Sequence, residues 1–213
     1  MSSKPRLWTK GFILDTLVNF LIYIIYYMLM VIIASEAIHS LHASMSEAGL
    51  ASGIFILGTL VARLFAGRSV ELYGRRKMLF AGILFYLATT FMYFGIHSMA
   101  MLYLVRCLNG IGYGIASTAT STIVSTMIPA ERRGEGINYY ALSMSLAAAI
   151  GPFIGMLMQQ IFPFEDIIYF CIAMIVVCLG AAAVMHVEEM ELTEEHRAAL
   201  KEIHIANFLE PKV

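Results

Sequence analysis

Charged residues are scarce in this sequence of 213 residues, making up 14% of the chain. Their signs are also nearly balanced, since 14 Lys and Arg stand against 15 Asp and Glu, for a formal net charge of −1. Nucleic-acid binding domains carry an excess of basic residues on one face. We therefore expect no nucleic-acid partner.

Residue groupings typical of catalysis are also missing. There is no nucleophile with a neighbouring base and no glycine loop for a phosphate, and "GIGYG" at 110–114 lies in mid-span, where it indicates helix packing. The few cysteines fall inside apolar runs without CxxC or other metal spacing, which is typical of small packing residues. These cysteines are Cys107, Cys171 and Cys178. The sequence therefore predicts neither an enzyme nor a cofactor.

One group has the spacing of a divalent-metal site. Glu36, His39 and His42 share a helical face at the outer end of the first apolar run. Three such residues are more often found in a solvated loop, and we favour that interpretation. No metal is expected.

Apolar residues, by contrast, are abundant. They make up 60% of the chain, with a mean hydropathy of +0.77, whereas soluble domains have about 45–50%. The apolar runs are as long as bilayer-crossing helices and do not alternate as barrel strands do. The first run is also too long for a signal peptide. We predict an all-α membrane protein with six transmembrane helices, near 12–34, 48–66, 78–97, 100–124, 137–161 and 166–187.

The positions of Lys and Arg predict the orientation of these helices. The connections at 35–47, 97–99 and 162–165 contain neither residue, whereas both termini and the other two connections contain several. Basic residues near span ends stay on the cytoplasmic side. Both termini are therefore predicted to be cytoplasmic, in a multi-pass protein of the plasma membrane. Residues 188–213, with seven Glu, are interpreted as an acidic cytoplasmic tail.

The connection between spans 2 and 3 is unusually rich in charge and reads "GRSVELYGRRK" from 67 to 77. Gly67 and Gly74 suit a tight reversal in which the backbone needs positive φ. Glu71 is expected near the start of a short helical turn, paired with Arg75 four residues on. This pattern predicts a connection that holds one geometry.

This connection resembles the loop signature of the major facilitator superfamily of secondary transporters, although that family usually has Asp where Glu71 stands. In that family the loop latches two halves of the transporter together on the cytoplasmic side. The resemblance implies a conformational latch formed by Gly67, Glu71, Gly74, Arg75, Arg76 and Lys77.

Span 4 contains an arginine within "RCLNGIGYGIAS". An arginine inside the membrane costs a few kcal/mol, so Arg106 is expected to face a polar cavity or a partner. The segment resembles a family motif associated with proton coupling, with Asn109 in place of the usual Gln. Arg106 is thus a candidate for proton coupling, with snorkelling to an interface as the alternative. For Arg63, one turn before Gly67, snorkelling is the favoured interpretation.

Span 5 contains "AAAIGPFIG", with small residues four apart and a proline inside the helix. This spacing forms a groove for close helix contact, and proline permits a kink. Gly151, Pro152 and Gly155 are therefore predicted to form a hinge or packing seam. They also resemble the antiporter signature of exporters in the family, which implies export rather than import.

Polar residues in span 1 recur with helical periodicity, at Asp15, Asn19, Tyr23 and Tyr26. Asp15 is either a proton carrier or a hydrated residue at the helix end. The candidates for the wall of a substrate cavity are Asn19, Tyr26, Asn109 and Tyr113. A transporter needs these side chains to face a continuous cavity, whereas a non-transporting module would bury them against one another.

The family resemblance implies one half of a twelve-span transporter, because members contain two six-helix halves. The expected activity is proton-coupled export of a small, largely apolar solute across the lipid bilayer. Import, a non-transporting module and a truncated fragment are the alternatives. A second six-span half is expected as a separate chain, as a missing C-terminal half, or through a homodimer.

Overall fold

The computed structural model describes residues 5–187 and residue 189. Two short 3-10 helices, Met92–Gly95 and Ala130–Arg132, precede α4 and α5. The six α-helices are α1 Lys10–Ser40, α2 Met45–Tyr73, α3 Arg75–Phe91, α4 Met99–Met127, α5 Arg133–Ile161 and α6 Phe164–Val184. Apart from Glu189, the predicted acidic tail lies outside the described residues.

All six helices are long and apolar enough to cross a membrane. The predicted fold class, an all-α bundle of six transmembrane helices, is confirmed. Side chains cap the starts of several helices: Thr9 caps α1, and Ser98 caps α4. Ser44 and Glu47 form a capping box at the start of α2.

The connection between α2 and α3 differs from the sequence interpretation. Gly67 is not a turn residue, because α2 continues through it to Tyr73. Glu71 accordingly lies in the last turn of α2, at the negative end of the helix dipole rather than at the start of a turn. The reversal is made at Gly74 alone, where φ is 97°, a conformation that only glycine adopts readily.

Close approach of glycines to neighbouring backbones assembles the bundle around α4. Gly110 and Gly114 meet α2 at Phe55 and Thr59, and Gly112 meets α3 at Tyr86. A side chain at any of these glycines would overlap the facing helix, as expected for small residues at membrane helix contacts. The prediction that "GIGYG" mediates helix packing is confirmed. α1 packs mainly on α5, and α6 packs on α1 and α3.

Candidate functional site

Arg106 lies at the centre of a buried polar cluster between α2, α4 and the end of α3. Its side chain is fully buried, so it does not snorkel to an interface. Its Nε donates a hydrogen bond to the Ala51 carbonyl at 3.3 Å, and one terminal nitrogen donates to the Tyr93 hydroxyl at 3.3 Å. The second terminal nitrogen has no partner among the described residues.

Asn109 extends this cluster along α4 by one turn. Its amide nitrogen donates to the hydroxyls of Thr89 and Thr90, each at 3.1 Å, and its oxygen accepts from Tyr93 at 3.3 Å. The Tyr93 hydroxyl therefore lies between the guanidinium and the amide. Sequence reasoning missed the contributions of Tyr93, Thr89 and Thr90, although a polar-tipped ring and two adjacent threonines in an apolar span were an available signal.

Phe55 connects this cluster to the other side of α2. The guanidinium carbon of Arg106 lies 4.4 Å from the centre of the Phe55 ring, a distance typical of a cation–π interaction. The same ring stacks on Tyr26 of α1, with centroids 5.0 Å apart and an interplanar angle of 21°. One aromatic side chain thus touches both the buried cation and the aromatic side chains of α1.

These aromatic side chains line a cavity of about 250 Å³ between α1, α2 and α4. Tyr26 and Tyr113, two of the four residues proposed for a cavity wall, both line it, and their ring centroids are 5.0 Å apart. Its other lining residues are Tyr23, Tyr27, Phe55, Ile56, Thr59 and Arg63. Asn19 and Asn109, the other two candidates, do not line this cavity. Their amide groups instead form hydrogen bonds inside buried polar clusters.

Arg63 lines this cavity. The sequence interpretation placed it near the end of its helix, but the structure does not. Because α2 continues to Tyr73, Arg63 lies ten residues, or about 15 Å, before the helix end. Its side chain is exposed and lines the cavity together with Tyr26 and Tyr113. The misplaced helix boundary explains why sequence reasoning overlooked it.

A second polar cluster joins α1, α4 and α5. The amide of Asn19 donates to the Ser143 hydroxyl at 3.3 Å and accepts from Thr120 at 3.4 Å, and Tyr140 donates to Thr120 at 3.1 Å. Asp15, one turn before Asn19, is fully buried, and neither of its carboxylate oxygens has a partner among the described residues. Asp15 is therefore not a hydrated residue at the helix end.

A cavity of about 190 Å³ lies at the end of the bundle where α1 ends and α4 begins, and it reaches Tyr93. Three titratable side chains line it: Glu36 of α1, His97 in the loop that precedes α4, and Glu165 of α6. Within residues 5–187 and Glu189, no three His, Cys, Asp or Glu side chains cluster as metal ligands would. Tyr93, which accepts a hydrogen bond from Arg106, is also part of the lining of this cavity.

The charged connection contacts a residue far along the chain. The residue before α3 is Gly74, which has no side chain to cap the helix. The carboxylate of Glu189 takes this role and accepts hydrogen bonds from the backbone N–H groups of Arg75 and Arg76. The Arg76 guanidinium also donates to the Ala183 carbonyl at 2.9 Å. Nothing in the sequence pattern identified Glu189, because this pairing depends on how α6 packs beside α3.

The small residues of α5 pack directly against α1. A side chain at Gly151 would lie 2.8 Å from Cβ of Tyr27, and one at Gly155 would lie 3.1 Å from Met28. The helix remains continuous through Pro152. Since Tyr27 also lines the aromatic cavity, this contact supports one wall of it.

Comparison with known proteins agrees with this architecture. Residues 16–208 match the Major Facilitator Superfamily. An uncharacterised MFS-type transporter of Methanocaldococcus jannaschii is 28% identical over 132 residues, which cover 62% of this chain and 34% of that protein. Multidrug resistance protein 1 of Bacillus subtilis is 26% identical over 134 residues, covering 62% of this chain and 34% of that protein.

A solved structure shows the same fold. The crystal structure of peptide transporter POT in complex with alafosfalin superposes with a TM-score of 0.75 at 16% identity, over 89% of this chain and 43% of that chain. The chain thus spans about a third of the length of the curated relatives it matches and under half of this structure. The family match covers most of the chain, and six helices are long and apolar enough to cross a membrane. The protein is therefore a multi-pass membrane protein of the major facilitator superfamily.

Proposed function

We propose that this chain is the N-terminal half of a transporter that exports small, largely apolar compounds in exchange for protons. The observation that carries the proposal is the position of Phe55, which contacts the Arg106 guanidinium and stacks on Tyr26. A change in the charge or hydration around Arg106 reaches the aromatic cavity through this one ring. Coupled transport needs such a physical link between two sites.

The proton-coupling residues of the proposal are Arg106 and Asp15. On the outer side, Tyr93 accepts a hydrogen bond from Arg106 and also lines the cavity that contains Glu36 and His97. This cavity supplies titratable groups on the outer side of Arg106. On the cytoplasmic side, Asp15 lies in the second turn of α1 with both carboxylate oxygens unpartnered among the described residues. Intramembrane carboxyl groups of this kind are typical of proton relays.

The direction of transport rests on resemblance. Gly151, Pro152 and Gly155 resemble the antiporter signature, and one relative is named a multidrug resistance protein. Import through the same cavity is the alternative. The direction of the gradient that drives solute movement separates the two.

A second six-helix half completes the transporter in this proposal. Substrates in this fold are held near the membrane midplane between two halves, and the cavity at Tyr26 and Tyr113 supplies one wall. Glu71 is exposed and forms no ion pair with any described residue. A partner for Glu71 in the second half is consistent with the latch role implied by the loop resemblance.

A non-transporting membrane module is the second candidate, and one observation favours it. Arg106 and Asn109 are buried against Tyr93 and its neighbours, which is the arrangement expected of a purely structural cluster. A structural cluster would tolerate replacement that preserves folding, whereas a coupling cluster would not. Transport measurements on folded variants therefore separate these functions.

The proposed export activity can be tested in everted membrane vesicles prepared from cells of the source organism that overproduce the chain. An acid-inside gradient should drive accumulation of a labelled aromatic dye, and a protonophore should abolish it. Arg106→Gln should lose gradient-driven uptake, while Arg133→Gln, at the start of α5, should retain it. Uptake that needs the opposite gradient would indicate import, and no difference from vesicles without the chain would favour the non-transporting module.

The partner half requires a separate measurement. The purified chain should show no uptake in proteoliposomes, because it offers only one wall of the substrate site. Gradient-driven uptake by a cross-linkable dimer would assign the second half to another copy of this chain. Uptake by the monomer would contradict the proposal of a half-transporter.

A further inference from the structure

The aromatic cavity contains a single full charge, and that charge is positive. Its lining includes four tyrosines, Phe55, two further uncharged side chains and Arg63. No Asp or Glu lines it. A solute that enters this cavity therefore meets aromatic rings and one guanidinium.

Arg63 has no counter-ion within the described residues. The one ion pair among them joins Arg132 and Glu135, near the start of α5. Glu71, in the same helix, lies eight residues or about 12 Å further along α2. Because an unpaired charge within a transmembrane helix is costly, such residues mark substrate or ion pathways.

One other polar group of the cavity, the Thr59 hydroxyl, is already engaged in hydrogen bonds within the bundle. The Thr59 hydroxyl lies within donating distance of two backbone carbonyls, that of Phe55 at 3.0 Å and that of Gly110 at 3.1 Å. The Tyr26 ring is held by stacking on Phe55 and by contact with Tyr113 at 5.0 Å. Arg63 is the side chain in this wall best suited to bidentate recognition of a carboxylate.

We propose that Arg63 binds the anionic group of an amphiphilic aromatic solute whose ring packs among Tyr23, Tyr26, Tyr27 and Tyr113. This inference rests on the proposed function, since it names the substrate class of the same cavity. Aromatic rings supply stacking surfaces with centroid distances of about 4.5–7 Å, and the tyrosine pairs here lie within that range, at 4.6 to 6.4 Å. The positive charge selects an anion over a neutral compound of the same shape.

Two probes of nearly equal shape test this charge selection: 2-naphthoate, which is anionic, and 2-naphthalenemethanol, which is neutral. Binding is measured by equilibrium dialysis with the purified full chain in phosphatidylcholine nanodiscs. The wild-type chain should bind the anion about tenfold or more tightly than the alcohol, as expected for charge-assisted hydrogen bonds. Equal affinity for the two probes would overturn the proposal.

Variants of Arg63 assign the selectivity to this residue. Arg63→Gln should lose the preference for naphthoate and leave the affinity for the alcohol unchanged, and Arg63→Lys should keep part of it, because lysine retains the charge but not the fork. Arg68→Gln, five residues further along α2 and outside the cavity lining, is the matched control and should behave as wild type. Retained selectivity in Arg63→Gln would overturn the proposal.

The same measurement separates this inference from the proposed function. Tyr26→Leu removes part of the aromatic wall and should weaken both probes. If both probes bind and respond to Tyr26→Leu but not to Arg63→Gln, the cavity stands as a substrate site and the charge selection is wrong. If neither probe binds, both the cavity function and the charge selection are contradicted.

Discussion

The carboxylate of Glu189 accepts a hydrogen bond from the backbone N–H of Arg75 at 2.8 Å, across more than a hundred residues of sequence. Its other oxygen accepts from the N–H of Arg76 at 3.0 Å. Glu189 thereby caps a helix whose own Gly74 has no side chain to do so. The segment after α6 is thus attached to the connection between α2 and α3.

We predict that Glu189→Gln destabilises the N-terminus of α3. Loss of the negative charge weakens two hydrogen bonds and a favourable dipole interaction, at a cost of about 1 kcal/mol. Amide hydrogen exchange at Arg75 to Met78 should become faster. Glu131→Gln, another exposed glutamate, is the control, and equal exchange in both variants would contradict the capping role.

For Gly74 and Gly67 we predict opposite outcomes. Gly74→Ala should lower the free energy of unfolding by about 1–3 kcal/mol, because φ of 97° suits only glycine and a Cβ would lie 3.0 Å from the Glu189 carboxylate. Gly67→Ala should leave it unchanged or raise it by up to about 1 kcal/mol, since nothing lies within 4 Å of its added carbon. Thermal unfolding in detergent measures both, and a larger loss at Gly67 would contradict the helical assignment.

The buried cluster around Arg106 should contribute to stability as well as to the proposed coupling. Arg106→Ala leaves a cavity beside Phe55 and removes two donated hydrogen bonds, so we expect a loss of about 3 kcal/mol. Tyr93→Phe removes only the hydroxyl between Arg106 and Asn109 and should cost about 1–2 kcal/mol. Tyr73→Phe, at an exposed tyrosine, should have no measurable effect on unfolding.

The contact between α5 and α1 predicts that Gly151→Ala is destabilising. The added carbon would lie 2.8 Å from Cβ of Tyr27, so the helices must separate, at about 1–3 kcal/mol. Because Tyr27 lines the aromatic cavity, binding of 2-naphthalenemethanol should weaken as well. Gly180→Ala has open space around its added carbon and should change neither unfolding nor binding.

The latch proposal predicts that Glu71→Gln slows transport in the vesicle assay by shifting the populations of the transporter's conformations. The affinity of the chain for 2-naphthoate should stay within about twofold, because Glu71 lies outside the cavity and a latch changes populations rather than the site. Transport rate and binding are measured on the same preparation. Unchanged turnover together with weakened binding would contradict the latch.

Residue patterns along the chain were sufficient to predict the fold class. Lipid leaves backbone groups no partner but their own helix, so apolar runs of sufficient length must form spanning helices, and six of them did. The packing role of "GIGYG" was predictable for a related reason, because glycines in mid-span permit close helix contact. Motif spacing likewise identified Arg106 and Gly74 as unusual positions, since a charge within a span and a glycine within a charged connection both differ from their surroundings.

Tertiary packing alone decided which polar residues meet. Arg63 became a cavity residue because α2 continues past Gly67, and local sequence does not mark the end of a helix that extends beyond the apolar run. Phe55 joins Arg106 to Tyr26 only because the glycines of α4 bring α2 close. Glu189 reaches Arg75 through the placement of α6 beside α3. Contacts between distant segments depend on the shapes of both surfaces, which a one-dimensional pattern does not contain.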